Sequence, residues 1–455
     1  MAIITINPAT GEQLESYDEM NERDIQDIIE RSHEAHLAWR ETGFAERGKL
    51  LRNLAEALRE DQESLATLMS REMGKPIRQA RAEIEKCATG CDYYAEHGES
   101  FLAPETVETD AGKSYITYRP LGVVLAIMPW NFPFWQIIRF AAPALMAGNA
   151  VLLKHAGNVT GCGLAIEDLF RRAGFPDGLF RTLLIRSDGV EAVVNDDRIA
   201  AVTLTGSTEA GRAVASTAGS NVKKTVLELG GSDPYLILED ADLERAAEAC
   251  ATGRLLNSGQ SCIAAKRLVV VEPVLEEFQQ HLIRAMKAHK VGDPMAEDSD
   301  IGPLARTDLR DDLQAQVTTS VERGATLLLG GETPEGPGAF YPPTILANVE
   351  KGMPAYDEEV FGPVAAVIAA RDEEDAIRIA NDTPYGLGAA VFTGDVARGE
   401  KIAAERLEAG SCFVNAFVKS DPRLPFGGVK ASGYGRELSE LGIREFAYAK
   451  TVYIA

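Results

Sequence analysis

Short apolar segments alternate with helical segments from Leu121 onward, and this alternation restricts the possible folds more than any other feature of the chain. Strands that are buried on both faces appear as continuous apolar runs, because crossover helices cover the sheet on each side. The pattern therefore predicts βαβ units and a doubly wound parallel sheet, which binds ligands at the carboxyl ends of its strands. The predicted strands are Val123–Met128, Ala150–Lys154, Ala200–Thr205 and Lys223–Glu228.

A second α/β series follows Gly230-Gly231 and predicts a second domain with its own sheet. The chain of 455 residues is too long for one core, since domains hold roughly 100–200 residues. Within this series, the stretch Gly330–Pro343 is rich in Gly and Pro and is interpreted as a surface loop. The predicted strands are Tyr235–Leu238, Arg267–Val271, Ala365–Ala369, Ala389–Thr393 and Ser411–Asn415.

Two segments outside these series alternate in polarity, as antiparallel strands do. They are Lys113–Pro120 and Tyr448–Ile454. Paired together, they would form a small protruding sheet whose free edge suits subunit contact, so we expect at least a homodimer. The first hundred residues instead have apolar positions three and four apart, such as Leu50, Leu51 and Leu54, which predicts surface helices.

The charge of the chain limits its possible partners. Lys and Arg total 46 against 69 Asp and Glu, so the net charge is −23. The field of such a protein repels nucleic acid and anionic membranes. No apolar run reaches the roughly 18 residues that span a bilayer, and Met1–Thr5 lacks the basic and apolar regions of a signal peptide. We therefore expect a cytoplasmic protein that binds neither nucleic acid nor membrane.

The six cysteines are spread along the chain without a Cys-x-x-Cys pair, and the six histidines are isolated from them. This spacing does not build a zinc site. In a long chain without a signal peptide, such cysteines are expected to be reduced thiols. We expect no structural metal and no disulfide.

Three residues at the ends of predicted elements could carry chemistry. Cys262 precedes a strand, among small residues that would leave its thiol accessible. Glu228 ends an apolar strand, where desolvation would raise its pKa toward the range of a general base. Asn131 lies in a strand-to-helix turn, where its amide could donate to an oxyanion. Singly, each also has a structural explanation: a small buried cysteine, a capping or ion-paired glutamate, and a turn asparagine.

The segment Thr205-Gly206-Ser207-Thr208 indicates a nucleotide site, because it follows a strand and opens a helix. Free helix N–H groups and a capping hydroxyl would face a pyrophosphate there. The segment is neither Gly-x-Gly-x-x-Gly nor a Walker A loop, which disfavours a kinase or ATPase. Lys154, at the end of another strand, could bind ribose hydroxyls or phosphate, although such a lysine is usually only solvated.

Six motifs together resemble the aldehyde dehydrogenase superfamily, and the resemblance extends from Asn7 to the C-terminal tail. It implies an α/β fold with a Rossmann-like cofactor domain, an α/β catalytic domain and a small oligomerisation β-sheet. The motifs are Pro129-Trp130-Asn131-Phe132-Pro133, Thr205-Gly206-Ser207-Thr208, Glu228-Leu229-Gly230-Gly231, Gly259-Gln260-Ser261-Cys262, Glu358-Glu359-Val360-Phe361-Gly362-Pro363 and Pro425-Phe426-Gly427-Gly428-Val429-Lys430.

The resemblance also implies domain boundaries and catalytic roles. The cofactor-binding domain would comprise residues 1–112 and 131–230, the catalytic domain 231–420, and the oligomerisation segments 113–130 and 431–455. Cys262 would be the nucleophile, Glu228 the general base that activates water, and Asn131 the oxyanion donor together with the Cys262 N–H. The product would be a carboxylic acid, released from a cysteine thioester.

The same resemblance implies a nicotinamide cofactor. Many NAD-using relatives have Lys-x-x-Glu where this chain has Lys154-His155-Ala156-Gly157. Gly157 removes a carboxylate that would repel a 2′-phosphate, so we expect NADP to be preferred and NAD to be accepted. The expected cofactor-binding residues are Trp130, Lys154, Gly157, Gly206, Ser207, Leu229, Glu359 and Phe361.

The expected substrate is a short aldehyde with a carboxylate at its far end. Trp135, Gln136 and Arg139 share a helix face near Asn131. Arg139 and Ser420 match residues that succinate semialdehyde dehydrogenases use for the substrate carboxylate. Read from the residues alone, Arg139 is equally well explained as a packing or ion-pair arginine.

Succinate semialdehyde is the expected substrate, and glutarate semialdehyde or an aliphatic aldehyde is the alternative. Two further alternatives are an acylating enzyme, which would form a thioester with coenzyme A, and a non-catalytic structural protein on the same fold. The second of these would be expected to lack Cys262 or Glu228, and both are present.

Overall fold

Eighteen β-strands and fifteen α-helices occur in residues 2–455, the part of the chain that this computed structural model describes. The strands are β1 (Ala2–Ile6), β2 (Gln13–Asp18), β3 (Glu105–Thr106), β4 (Lys113–Pro120), β5 (Val123–Met128), β6 (Ala150–His155), β7 (Phe180–Thr182), β8 (Ile199–Thr205), β9 (Lys224–Glu228), β10 (Asp233–Ile237), β11 (Ala265–Val271), β12 (Thr326–Leu329), β13 (Thr344–Ala347), β14 (Val364–Ala370), β15 (Gly388–Phe392), β16 (Ser411–Val414), β17 (Gly433–Tyr434) and β18 (Ala447–Ile454). The helices are α1 (Glu22–Trp39), α2 (Phe44–Glu60), α3 (Gln62–Met73), α4 (Ile77–Phe101), α5 (Trp135–Ala147), α6 (Thr160–Arg172), α7 (Val190–Asn195), α8 (Thr208–Ser220), α9 (Leu243–Leu255), α10 (Leu275–Lys287), α11 (Thr307–Glu322), α12 (Pro354–Asp357), α13 (Glu373–Asn381), α14 (Val396–Glu405) and α15 (Ser439–Glu445).

The first predicted α/β series forms a six-stranded sheet in the order β17-β9-β8-β5-β6-β7. Its strands are parallel except for β17, which pairs antiparallel with β9 at one edge. The central strand β5 is almost wholly buried, as its continuous apolar sequence predicts. The parallel sheet expected from the alternation of strands and helices is thus confirmed.

The second series forms a seven-stranded sheet in the order β12-β13-β14-β11-β10-β15-β16. Only β12 runs antiparallel, and it pairs with β13 at the edge. Every residue of the central strand β11 is buried. The loop predicted at Gly330–Pro343 lies between β12 and β13. The second sheet expected after Gly230-Gly231 is therefore present.

The two sheets bring strand ends and turns toward one region. Strands β5, β8 and β9 of the first sheet end at Met128, Thr205 and Glu228, where parallel sheets bind ligands. Helix α5 starts just beyond β5, is buried along its whole length and packs against α4. Cys262 lies just before β11 of the second sheet. The candidate site thus combines the carboxyl edge of one sheet with the segment that enters the other.

The two alternating segments pair as predicted, and a third strand joins them. Strands β18, β4 and β3 form an antiparallel sheet in that order, with Ile454 opposite Lys113 and Ala447 opposite Pro120. This sheet leaves β18 with one unpaired edge in the single chain. Several β18 side chains are exposed, including Tyr448, Tyr453 and Ile454.

Three expectations need correction. The first hundred residues are mostly helical, but β1 and β2 form an antiparallel hairpin that the helical periodicity did not predict. Residues 113–130 are not only an oligomerisation segment, because β5 lies inside this range and is central to the six-stranded sheet. Residues 431–455 likewise include β17, which pairs with β9. The small sheet therefore draws on narrower segments than expected.

Residues 2–455 contain no helix with the length and apolar character needed to cross a membrane. The same residues contain no group of three or more His, Cys, Asp or Glu side chains arranged to hold a metal ion.

Candidate active site

Cys262 lies on a wall shared by two cavities. The larger cavity, of about 420 Å³, is formed by α4, α5 and the segment around Ser420. The smaller cavity, of about 190 Å³, is formed by the carboxyl edge of the six-stranded sheet and the segment around Glu359. A thiol in this position can contact one ligand from each side. We refer to these as the larger and the smaller cavity below.

The turn before Cys262 has an unusual backbone. Asn257, Ser258 and Gly259 all have positive φ, at 58°, 56° and 74°, a conformation that costs energy for residues other than glycine. A Cβ at Gly259 would lie 2.3 Å from the Gly362 backbone, so only glycine fits. The Asn257 amide donates to the backbone oxygens of Asn131 at 2.6 Å and Gln260 at 3.0 Å. These bonds hold the cysteine turn against the turn that carries Asn131.

Burial raises the pKa of the Cys262 thiol to about 12, and the nearby positive charges of Lys266 and Arg139 oppose this effect. Lys266 is itself buried, and its ammonium donates to the backbone oxygens of Ser261 at 2.8 Å and Cys262 at 2.7 Å. Burial thus disfavours the thiolate form in the free protein. Nucleophilic attack requires a base or a further positive charge to lower this pKa.

Asn131 is positioned by its neighbours on both sides of the amide. Its Nδ2 donates to the Gln260 backbone oxygen at 3.0 Å, and its Oδ1 accepts from Gln136 Nε2 at 3.0 Å. An asparagine amide carries two N–H groups. One of them remains available beside Cys262, on the rim of the smaller cavity. Gln136, expected to bind substrate, lines the larger cavity, and its amide nitrogen donates to Asn131.

Glu228 is buried, and neither of its carboxylate oxygens has a hydrogen-bond partner among residues 2–455. Burial raises its pKa well above the ordinary value, the Glu437 carboxylate raises it further, and Arg139 opposes both. Gly427 provides space for this side chain, since a Cβ there would lie 2.7 Å from Glu228 Oε1. A buried carboxyl group without partners and with a raised pKa is suited to accept a proton.

Arg139 is part of a buried ion pair with Glu437. Its guanidinium also donates to Thr205 Oγ1 at 3.3 Å and lies 4.7 Å from the ring centre of Phe426. The residue lines the larger cavity, as expected for a substrate-binding arginine. Its charge is nevertheless balanced by Glu437, which corresponds to the ion-pair alternative.

Ser420 and Trp135 also line the larger cavity, and the Trp135 indole donates to Ser420 Oγ at 3.2 Å. Several charged residues in this wall were not predicted, among them Lys75, Glu83 and Lys86. Glu83 accepts from the backbone N–H groups of Phe134 and Trp135, both at 3.0 Å. Glu83 also pairs with the buried Lys75, and Lys86 lies one turn further along α4.

Six of the eight expected cofactor-binding residues surround the smaller cavity. They are Trp130, Gly206, Ser207, Leu229, Glu359 and Phe361. The rings of Trp130 and Phe361 meet edge to face, with centres 5.8 Å apart. Ser207 caps α8, accepting from Ala210 N at 3.2 Å. This places the free N–H groups of the first helical turn at the cavity, where a phosphate would bind.

Glu359 is held on one side by the backbone N–H of Gly231 at 3.0 Å and by Lys266 at 3.2 Å. Lys266 is a further residue that the sequence motifs did not indicate. It connects the cysteine turn to the smaller cavity, because it contacts both Glu359 and the Cys262 backbone.

Lys154 and Gly157 lie outside the lining of the smaller cavity, at and beyond the carboxyl end of β6. Burial lowers the pKa of Lys154, and its ammonium has no hydrogen bond or ion pair within residues 2–455. Gly157 is exposed, and a Cβ there would lie 3.3 Å from Ile3 Cγ2 of β1. The unpaired ammonium and the missing side chain fit an additional phosphate group in this region.

Comparison with known proteins gives consistent results over the full chain. Residues 1–452 match the model of the aldehyde dehydrogenase family. The chain is 51% identical over 455 residues to a probable succinate-semialdehyde dehydrogenase [NADP(+)] of Synechocystis sp., with 100% of both chains covered. It is 49% identical over 450 residues to the succinate semialdehyde dehydrogenase [NAD(P)+] Sad of Escherichia coli, covering 99% of this chain and 97% of that one.

Solved structures agree with the sequence comparisons. The crystal structure of succinic semialdehyde dehydrogenase from Streptococcus pyogenes, in complex with NADP+, superimposes with a TM-score of 0.97. The two sequences are 40% identical, and all of each chain is covered.

Proposed function

The chain belongs to the aldehyde dehydrogenase family, and we propose that it oxidises succinate semialdehyde to succinate with NADP as cofactor, NAD also being accepted. The observation that carries this proposal is the position of Cys262 on the wall between the two cavities. Its sulfur can reach an aldehyde in the larger cavity while a nicotinamide occupies the smaller one. The names of the relatives from Synechocystis sp. and Escherichia coli support the choice of aldehyde.

Cys262 is the proposed nucleophile. Its thiolate attacks the aldehyde carbon, forming a C–S bond and moving the carbonyl electrons onto oxygen. The free N–H of Asn131 and the backbone N–H of Cys262 stabilise this oxyanion, and one such donor is worth about 3 kcal/mol in an acyl-transfer enzyme. The hydrogen bond from Gln136 to Oδ1 holds the Asn131 side-chain amide in place, and the hydrogen bond from Asn257 fixes the Asn131 backbone oxygen.

NADP is the proposed cofactor, and when bound it supplies the acceptor for the hydride that leaves the substrate carbon. Ser207 and the first turn of α8 would bind the pyrophosphate, and Glu359 the nicotinamide ribose. Trp130, Leu229 and Phe361 provide the apolar walls of the cavity. Lys154 and the space at Gly157 would accommodate the 2′-phosphate.

Glu228 is the proposed general base for hydrolysis of the thioester that oxidation leaves on Cys262. Its carboxylate accepts a proton from water, the resulting hydroxide adds to the thioester carbon, and the C–S bond breaks to release the carboxylic acid. The raised pKa makes this carboxylate a stronger base than an exposed glutamate. Hydrolysis by water, rather than transfer to coenzyme A, follows from this assignment.

The four expected substrate residues surround the larger cavity in different roles. Trp135 contributes an apolar wall, and Ser420 a hydroxyl. Arg139 adds a guanidinium that remains able to donate, although Glu437 balances its charge. Gln136 acts through Asn131 as a positioning residue. Together they favour a short aldehyde with a polar far end.

We also propose that two chains associate through the sheet β18-β4-β3 in the cytoplasm. Strand β18 is eight residues long, and on its unpaired edge the backbone groups of alternate residues are available to another strand. Light scattering at micromolar concentration tests this association, and the mass of a single chain would contradict it.

The test of the proposed activity is a comparison of kcat/KM for succinate semialdehyde and butanal with NADP. We expect succinate semialdehyde to be preferred by at least about tenfold, as a charged hydrogen bond to a carboxylate contributes 1.5–3 kcal/mol. Equal values would contradict the proposed substrate. Absence of reduced cofactor with every aldehyde tested would contradict the proposed activity itself.

A further inference from the structure

The larger cavity holds one half-buried positive charge that no carboxylate balances. This charge belongs to Lys86, which lies on α4 rather than on α5. We propose that the Lys86 ammonium, together with the Ser420 hydroxyl, binds the substrate carboxylate and determines the selection of aldehydes that carry one. This inference rests on the proposed function and names the group that recognises the substrate class. The motifs that identified the other site residues do not include Lys86.

Lys86 is positioned by contacts within the cavity wall. Its ammonium donates to Ser420 Oγ at 2.7 Å and lies 4.5 Å from the ring centre of Trp135. The residue is half-buried and lines the same cavity as Cys262. A cation held against an indole face and a hydroxyl is prevented from turning away into solvent.

The other half-buried or buried cations of this wall already have partners. Lys75 is paired with Glu83, and Arg139 with Glu437. Within residues 2–455, no carboxylate oxygen lies within ion-pair distance of Lys86. Lys419 also borders the cavity but is exposed, so water screens its charge. Lys86 is therefore the shielded cation that a substrate carboxylate can neutralise.

The hydrogen-bonding pattern of Ser420 points to the same ligand. A serine hydroxyl has one donor and two acceptor positions. Both acceptor positions are used, by the Lys86 ammonium and by the Trp135 indole at 3.2 Å. The O–H group is left to donate, and it has no acceptor among residues 2–455. A carboxylate beside Lys86 would accept from both groups.

Burial lowers the pKa of Lys86 to about 8, and the positive charge of Arg139 contributes to this effect. The lowered pKa means that the cavity disfavours the charged form when no anion is bound. A bound carboxylate supplies the missing negative charge. Because water is largely excluded around Lys86, the hydrogen bond between the ammonium and this carboxylate is stronger than it would be in solvent.

The experiment compares kcat/KM for succinate semialdehyde and butanal in wild type, Lys86→Met, Lys86→Arg and Lys419→Met, all with NADP. We expect Lys86→Met to lower the preference for succinate semialdehyde by about 10- to 100-fold. The change should arise in KM for succinate semialdehyde, while butanal oxidation continues. Lys86→Arg should keep most of the preference, and Lys419→Met should change it by less than about threefold.

The outcomes separate this inference from the proposed function. If wild type does not prefer succinate semialdehyde, the proposed substrate is wrong. If wild type prefers it and Lys86→Met keeps the preference, the role of Lys86 is wrong while the function stands. Butanal oxidation reports whether each variant is folded. Lys86→Gln, which retains a donor for Ser420 without the charge, replaces Lys86→Met if that variant is insoluble, with the same expected loss.

Discussion

The two cavities that meet at Cys262 are built in different ways. The smaller one is formed by strand ends and the residues that follow them, such as Thr205, Gly206 and Ser207 after β8. The larger one is formed by side chains from helices and a distant loop, and some of its charged groups are paired across the fold, as Arg139 is with Glu437. The smaller cavity therefore depends on local backbone geometry, whereas the larger one depends on contacts between remote segments.

This difference leads to a specific expectation. A change in the lining of the larger cavity should alter the selection of the aldehyde and leave the selection of the cofactor intact. A change in the region that binds the cofactor should do the reverse. Changes at the shared wall should stop the reaction without preventing either ligand from binding. Variants at the shared wall, then on the cofactor side, and finally the pH dependence on the substrate side test this separation.

The largest effect is expected for Cys262→Ala. Removal of the nucleophile should lower aldehyde oxidation by at least about 10³-fold, because no other group can form the covalent intermediate. Binding of NADP, followed by fluorescence titration, should change by less than about threefold, since the thiol is only one small part of the smaller cavity. Cys412→Ala, at another half-buried cysteine, is the matched control and should remain active. Turnover in Cys262→Ala would contradict the role of the thiol.

Glu228→Gln should lower steady-state turnover by about 10²- to 10⁴-fold, the usual contribution of a general base. The first turnover should still produce a burst of reduced cofactor, because hydrolysis of the thioester follows the oxidation step. Stopped-flow absorbance measures both phases. A variant without a burst would indicate that Glu228 instead activates the Cys262 thiol or contributes to binding.

Gly157→Glu tests the cofactor side. The new carboxylate should repel the 2′-phosphate and lower the ratio of kcat/KM for NADP over NAD by about 10- to 100-fold. The preference between succinate semialdehyde and butanal should stay as in wild type if the two cavities act separately. Gly157→Gln adds similar volume next to Ile3 without the charge. Equal effects of the two variants would show that volume, not charge, selects the cofactor.

The same division explains what could be predicted from the sequence. Most residues of the smaller cavity follow predicted strands directly, so a short motif places them: Ser207 caps α8 as its position after β8 predicts. Nine strands of the two sheets were predicted, because burial on both faces produces continuous apolar runs. The strands β7, β12, β13 and β17 were not predicted. The hairpin β1–β2 was missed, since helical periodicity dominates the residues that follow it.

The larger cavity was only partly predictable. Lys86 and Ser420 are 334 residues apart, and no local pattern joins them. Gln136 and Arg139 were placed on the correct helix face, but their partners come from other segments: Asn131 and Glu437 determine what each side chain can bind. One signal was present, because Gln79, Glu83 and Lys86 recur at helical spacing on the cavity side of α4. Polar residues repeated on an otherwise apolar face indicate a lined cavity.

The groups around Lys86 allow a test by pH alone. The titratable and charged side chains near it are Glu83 and Cys87 on α4, Arg139 on α5, and Asp421 in the loop after β16. Burial raises the pKa of Cys87 well above its ordinary value, and Arg423 lowers that of Asp421 to about 2. Glu83 is paired with Lys75, and Arg139 with Glu437. Lys86 is therefore the group of this set that changes charge just above neutral pH.

The smallest predicted effect is the loss of substrate preference as the pH rises through the Lys86 pKa of about 8. Lys86 is charged below this value and neutral above it, so carboxylate binding weakens as the pH increases. The ratio of kcat/KM for succinate semialdehyde over butanal should fall about fourfold between about pH 7 and pH 8.5, since kcat/KM follows ionisation of the free enzyme. Taking the ratio cancels the titration of Cys262 and Glu228, which act on both aldehydes.

Lys86→Arg, which stays charged across this range, should give a constant ratio. A constant ratio in wild type would mean that Lys86 does not select the carboxylate, and an equal fall in Lys86→Arg would assign the titration to another group of the larger cavity.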